Sequence, residues 1–203
     1  LIVAGIFSLQ IKAVEGAVIQ MVSHGINIVG LFIVIDFIEQ RTKTRNISDL
    51  GGIATKAPRL AIFFMIILLG TIALPLTNGF IGEFLLLLGL FEYSMVFAAV
   101  AGLTIIFSAV YLLRMYQRTM LGEPNEITAQ IRDLTWPEMA ALMPLVIMII
   151  WIGMFPGLFL DVEMNDIVNA IENYHPANNR SQIKITKKNT LICDSYNANP
   201  TSM

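Results

Sequence analysis

The stretch from Leu60 to Phe91, LAIFFMIILLGTIALPLTNGFIGEFLLLLGLF, limits what this chain can fold into more than any other. It is 32 residues of nearly continuous apolar side chain containing one carboxylate, Glu83. An unbroken helix of that length would measure ~48 Å at ~1.5 Å per residue, yet ~20 residues suffice to cross the ~30 Å hydrocarbon core of a bilayer. Pro75 has no backbone N–H, and Thr77, Asn78 and Gly79 are turn formers. The run therefore reads as one membrane helix, 60–91, broken at mid-depth over Pro75, Thr77, Asn78 and Gly79, with Glu83 just past the break. A carboxylate beside broken backbone inside a membrane marks a functional site.

Composition agrees with a membrane setting. Charged residues make up 14% of the 203, against 56% hydrophobic, whereas soluble domains carry roughly 25% charge. The fold class is an all-α polytopic membrane protein. The single cysteine, Cys193, excludes an internal disulfide and a cysteine metal cluster. No glycine-rich nucleotide loop, flavin site or metal-ligand cluster is visible, so no cofactor, metal or redox centre is expected in this chain, and no nucleic-acid partner. Leu1 opens inside an apolar run, LIVAGIF, without a basic leader, and the start of the gene product is expected upstream.

Four spans and the end of a fifth helix follow in order. Residues 1–8 end a helix, and residues 13–38 form a full span. Within that span Gln20, His24 and Asn27 recur at helical spacing with Ser23 beside them, a polar stripe on one face. For Gln20, Ser23 and Asn27, interhelical hydrogen bonding at ~0.6 kcal/mol per contact and a place on a proton path stand as equal readings. His24 reads as functional, because imidazole titrates near neutral pH. Spans 60–91, 95–114 and 139–155 come next, with Thr104 and Ser108 on one face of the third. Trp136-Pro137-Glu138 looks like a helix start.

The loops after the 13–38 span carry five, zero and three Lys or Arg in turn. Basic loops belong on the cytoplasmic side. The two basic loops share a face only if 60–91 crosses once, which makes the broken helix a single interrupted span.

The phrases GAVIQMVSHGINIVGLF, RTKTRNISDLGGIA and ALPLTNGFIGEFLLL, followed by MYQRTMLGE and DLTWPE, resemble the antiporter-like subunits of respiratory NADH–quinone oxidoreductase (complex I), in particular the M type, over about residues 1–160. The resemblance implies a bundle of two inverted repeats, each with one broken helix, of which this chain holds the end of the tenth helix through the fourteenth. It implies proton translocation coupled to quinone reduction, within a translocase whose NADH, FMN, iron–sulfur clusters and quinone bind elsewhere. Glu83 matches the carboxylate of the broken twelfth helix, and His24 the histidine of the eleventh, on a hydrophilic axis that also takes in Gln20, Ser23, Asn27, Thr104 and Ser108. The family's other glutamate and its lysines would precede Leu1. The L- and N-type subunits, implied neighbours, carry lysine where Glu83 stands, and QMVSHG departs from the L type. The implied location is the bacterial inner membrane, multi-pass and surrounded by lipid. Related cation/proton antiporter subunits and hydrogenase-linked membrane subunits are the alternatives.

The polar tail, 161–203, breaks this pattern. Its pieces IKIT and TLIC read as short strands of a soluble domain. YHPANNRSQ and TLICDSYNANPTSM resemble the ligase that adds D-alanyl-D-alanine to UDP-N-acetylmuramoyl-tripeptide, with Arg180 and Asp194 to Pro200 matching residues near its nucleotide site. The phosphate-binding loop is absent, so no ligase activity is expected. The tail is expected to be foreign, joined between Phe159 and Asp166.

An ionised carboxylate at mid-bilayer costs ~2.5–3.5 kcal/mol on insertion scales. The expectation is that Glu83 loads and releases a proton through water shared with His24 and an upstream lysine.

Overall fold

A computed structural model of the chain describes residues 1–157, 182–185 and 190–193. The chain divides into two units, Leu1–Asp161 and Val162–Met203. Among its described residues the regular elements of the first are all helices: α1 (Ile2–Phe7), α2 (Ile11–Thr42), a 3₁₀ turn (Ile47–Asp49), α3 (Ile53–Lys56), α4 (Pro58–Thr71), α5 (Asn78–Tyr93), α6 (Met95–Met120) and α7 (Trp136–Met154). In the second, β1 (Gln182–Ile185) pairs antiparallel with β2 (Thr190–Cys193), Ile183 opposite Ile192. These strands cover the two β-prone pieces of the tail. Arg180, the Asp194–Pro200 loop and the proposed junction at Phe159–Asp166 lie outside the described residues.

Among the described residues α2, α6 and α7 are each long and apolar enough to cross a bilayer. All three differ in extent from the sequence-based spans. α2 continues to Thr42 and ends on Lys43 in the left-handed region (φ 59°), whose N–H donates to the Glu39 carbonyl. α6 runs to Met120, carrying Arg114 and Arg118 on the helix. Nothing in MYQRTM breaks a helix, so polarity there marks emergence from hydrocarbon rather than a helix end. α7 starts at Trp136 on a capping box. The Thr135 N–H and hydroxyl both donate to Glu138 Oε2, at 2.7 and 2.8 Å.

The run from Leu60 to Phe91 is indeed broken, but the break lies earlier than turn chemistry suggested. α4 stops at Thr71, four residues before Pro75, and the connection is Ile72–Thr77. The Leu74 N–H donates to the Leu69 carbonyl (3.0 Å) and the Ala73 N–H to that of Gly70 (3.3 Å). This is a Schellman ending, with Ala73 at φ 56° where glycine is usual. Asn78 and Gly79, expected in the turn, instead open α5, with Thr77 as its N-cap residue. The reason is that the helix terminates before the proline, leaving Asn78 free to begin the next one.

Contacts along α2 show how often the broken pair crosses. Moving from the start of α2 toward its end, Gly16 lies against Leu86, Ser23 against Asn78, and Gly30 against Ile67. The sequence numbers fall steadily on the partner side, so α4 and α5 together form one crossing antiparallel to α2. The break falls opposite Ser23–Asn27, near the middle of the apolar stretch 13–38. Both basic loops meet at one end. There Asn125 Nδ2 donates to the Asp49 carbonyl (2.8 Å), Thr128 Oγ1 to that of Gly51 (2.6 Å), and Arg41 Nη2 to both oxygens of Glu138 (2.8 Å). Asp133 caps α4 from the second loop, accepting from the Arg59 and Leu60 N–H groups. At the other end Lys12 pairs with Glu92.

The seam between α2 and α5 is built on small residues. A Cβ on Gly82 would stand 2.4 Å from Gln20 Oε1, and one on Gly89 2.4 Å from the Ala13 backbone nitrogen. Such close approach is how membrane helices gain packing without a hydrophobic drive between them. On the far side of α4, Phe64 packs on Tyr116 of α6 (ring centroids 5.4 Å apart), whose hydroxyl donates to the Ala61 carbonyl.

Two outcomes are expected. Gly89→Leu should cost about 3 kcal/mol or more by overpacking, read as a lower thermal midpoint of the purified protein. Cysteines placed at Ser48 and Glu126 should react with an impermeant maleimide from the same face of sealed vesicles, and a cysteine at Tyr93 from the opposite face.

Candidate functional site

Two polar neighbourhoods lie at the level of the break, and the stripe on α2 feeds both. The first is an open cleft of about 370 Å³ lined by Gln20 and His24 of α2, Thr71 at the end of α4, Glu83 of α5, and Thr104, Ser108 and Tyr111 of α6. α1 contributes the apolar side chains Ile2 and Val3. Five residues expected to face a hydrophilic axis therefore share one cavity: Glu83, His24, Gln20, Thr104 and Ser108. Thr71 lines it too and was not singled out in the sequence, because a lone threonine at a helix end carries no periodic signal.

Within the cleft Glu83 is partly buried, and Gln20 Nε2 donates to its Oε1 at 3.4 Å. The hydroxyls on the walls are occupied by their own helices. Thr71 Oγ1 donates to the Ile67 carbonyl, Thr104 Oγ1 to that of Ala101 and Ser108 Oγ to that of Ile105. Each hydroxyl still has acceptor lone pairs for water. His24 lies on the exposed side of α2, facing the cleft rather than the packed seam.

The second neighbourhood is buried. Ser23 Oγ donates to the Asn78 carbonyl (3.1 Å), and Asn78 Nδ2 donates back to the Ser23 carbonyl (3.3 Å). Asn27 lies one turn further along α2, against Gly70. The structure thus splits the polar stripe: Gln20 and His24 face the cleft, while Ser23 and Asn27 face the break. Gly153 of α7 covers the break from the other side, where a Cβ would come within 2.4 Å of the Leu76 carbonyl oxygen. Neither Gly153 nor the Asn78–Ser23 exchange was legible in the sequence, since both pair residues far apart in the chain.

Chemically, the cleft offers one titratable carboxylate held by an amide, an imidazole on the same wall, and room for water. Among the described residues no group of three His, Cys, Asp or Glu is placed to hold a metal. Carboxylate and imidazole side chains are usual groups for proton transfer.

The fold and the cleft together define a polytopic membrane helix bundle with one interrupted span and a carboxylate beside its break. The chain belongs to the NADH:quinone oxidoreductase/Mrp antiporter transmembrane family, whose model matches residues 1–108. It is 42% identical over 171 residues to NADH-quinone oxidoreductase subunit M of Rickettsia conorii, covering 84% of this chain and 35% of that protein. Respiratory complex I from Thermus thermophilus with bound NADH contains a chain that superposes with a TM-score of 0.75 at 33% identity, over 79% of this chain and 34% of that one. The Mrp complex of a Dietzia species shares the fold, with a TM-score of 0.70 at 19% identity over 78% of this chain and 38% of its own. The chain thus spans about a third of the length of these relatives.

The contact between Gln20 and Glu83 has a measurable consequence. Gln20→Leu removes this donor and should lower stability by about 0.5–1.5 kcal/mol, the net size of one hydrogen bond, read as a lower thermal midpoint of the purified protein.

Proposed function

We propose that the chain is part of an M-type, proton-translocating membrane subunit of NADH–quinone oxidoreductase, moving protons across the bacterial inner membrane as quinone is reduced elsewhere in the complex. The observation that carries this reading is the convergence of Glu83, Gln20 and His24 on one open cleft at the break of an interrupted helix, in a chain of this family. Glu83 is the proton-loading group. Withdrawn from bulk water, its charge is costly unless water or a cationic partner compensates, so its protonation follows the arrangement of the cleft. His24 relays through water on the same wall. At the break the Asn78 carbonyl accepts from Ser23 Oγ, which satisfies a backbone group that hydrocarbon could not.

NADH, FMN, iron–sulfur clusters and quinone belong to other subunits in this reading, and the neighbours in the membrane are the L- and N-type subunits. The fold shared with the Mrp complex favours a cation/proton antiporter as the second reading. Gene neighbours separate the two: redox subunits support the first, and a cluster of small membrane subunits alone supports the second. We read residues 161–203 as a foreign ligase-like segment without activity, which the full-length gene would test.

In the intact complex Glu83→Ala should lower proton pumping and coupled quinone reduction by at least about tenfold, in line with the loss of a positioned proton-transfer group. Undiminished pumping in vesicles would end the loading role. His24→Ala should produce a smaller loss.

A further inference from the structure

Three buried amide oxygens have no hydrogen-bond partner among the described residues: Gln20 Oε1, Asn27 Oδ1 and Asn78 Oδ1. Native proteins nearly always supply a donor to such atoms, from the chain or from ordered water. Two of the three amides cannot be turned over to solve the problem. Gln20 Nε2 already donates to Glu83, and Asn78 Nδ2 to the Ser23 carbonyl. Reversing either would set oxygen against oxygen.

The Asn27 and Asn78 oxygens converge on one place. A Cβ built on Gly70 would lie 3.1 Å from Asn27 Oδ1 and 3.2 Å from Asn78 Oδ1, with Ile149 at 3.0 Å closing the far side. A side chain there would be crowded, so glycine at position 70 is what lets the two oxygens come together over α4. Both asparagines are deeply buried, at 2% and 0% exposure, and neither lines the Glu83 cleft. What fits between two acceptors is a species with two donors. No carboxylate is bonded to either amide, so a cation there would be held by neutral oxygens alone, a poor exchange for its hydration. Water supplies two O–H donors and carries no charge.

We propose that Asn27 and Asn78 hold a resident water molecule between α2 and the helix break, beside Gly70 and separate from the cleft. With the Ser23–Asn78 exchange it ties the first turn of α5 to α2. Through α5 it sets the position of Glu83, which lies five residues beyond Asn78. Asn27 is then a positioning residue, and its role in pumping rests on the proton-translocation reading above.

The test is a density map of the intact membrane complex at a resolution that shows water. A peak within ~2.6–3.2 Å of both oxygens is expected. Direct donation from Asn27 Nδ2 to Asn78 Oδ1 with no peak between them would overturn the proposal. So would a peak at shorter metal–oxygen distances that disappears when sodium is withheld. Asn27→Leu removes one holder, and Gly70→Ala presses a methyl against both oxygens while leaving the amides in place. Each should abolish the peak and lower pumping by about threefold to tenfold, as expected for one lost hydrogen bond. If both variants assemble and pump normally while Glu83→Gln does not, the positioning role fails and the proton reading stands. If Glu83→Gln pumps normally, the proton reading fails, and the wild-type density alone decides whether the water is there.

Discussion

A peptide group placed in hydrocarbon has no water to bond with, and each one left unpaired costs several kcal/mol. Interrupting a helix at the middle of a membrane frees carbonyls on one side and N–H groups on the other. The architecture around Ile72–Thr77 follows from that requirement. The Schellman ending returns donors to Leu69 and Gly70, and Phe80 donates to the Thr77 carbonyl. Ser23 donates to the Asn78 carbonyl, and α7 closes over Leu76 and Thr77 through Gly153. Ala73 and Leu76 adopt positive φ, 56° and 74°, a conformation that costs roughly 1–2 kcal/mol per non-glycine residue. Strain of that kind persists only where surrounding packing holds it, and here it is held next to the carboxylate.

The same packing gives the site its precision. Glu83 sits on the second half-helix, so its place in the membrane depends on how α5 is seated against α2. That seat is the small-residue seam of Ala13, Gly16, Gly82 and Gly89, where any added side chain meets backbone. At the basic end, Asp133 caps α4 and Arg41 grips Glu138, so the two loops after α2 and α6 fix the first half-helix and α7 together. Both halves of the broken span are anchored at their outer ends, α4 by Asp133 and α5 by the Lys12–Glu92 pair.

The polar stripe shows how a sequence pattern and a structure divide the work. Helical periodicity correctly gathers Gln20, Ser23, His24 and Asn27 on about one face of α2. It cannot say that α5 crosses this face so as to take Ser23 and Asn27 into the packed seam while leaving His24 in the cleft. Thr104 and Ser108 were legible as a polar face of α6 because spacing alone reveals them. Thr71 and Gly153 carry no such pattern.

The sequence by itself determined that this chain spans a membrane, that Leu60–Phe91 crosses once with an interruption, and that Glu83 lies just beyond it. Those conclusions rest on length, turn residues and loop charge, all of which act locally or add along the chain. Only the tertiary structure decided where the interruption falls, which residues cap its ends, and which polar groups meet Glu83. Pro75 forbids a continuous helix, but the position of the Schellman ending and the start of α5 depend on which carbonyls and N–H groups find partners. Those partners, Ser23, Asp133 and Gly153, stand far away in sequence and are brought near only by packing.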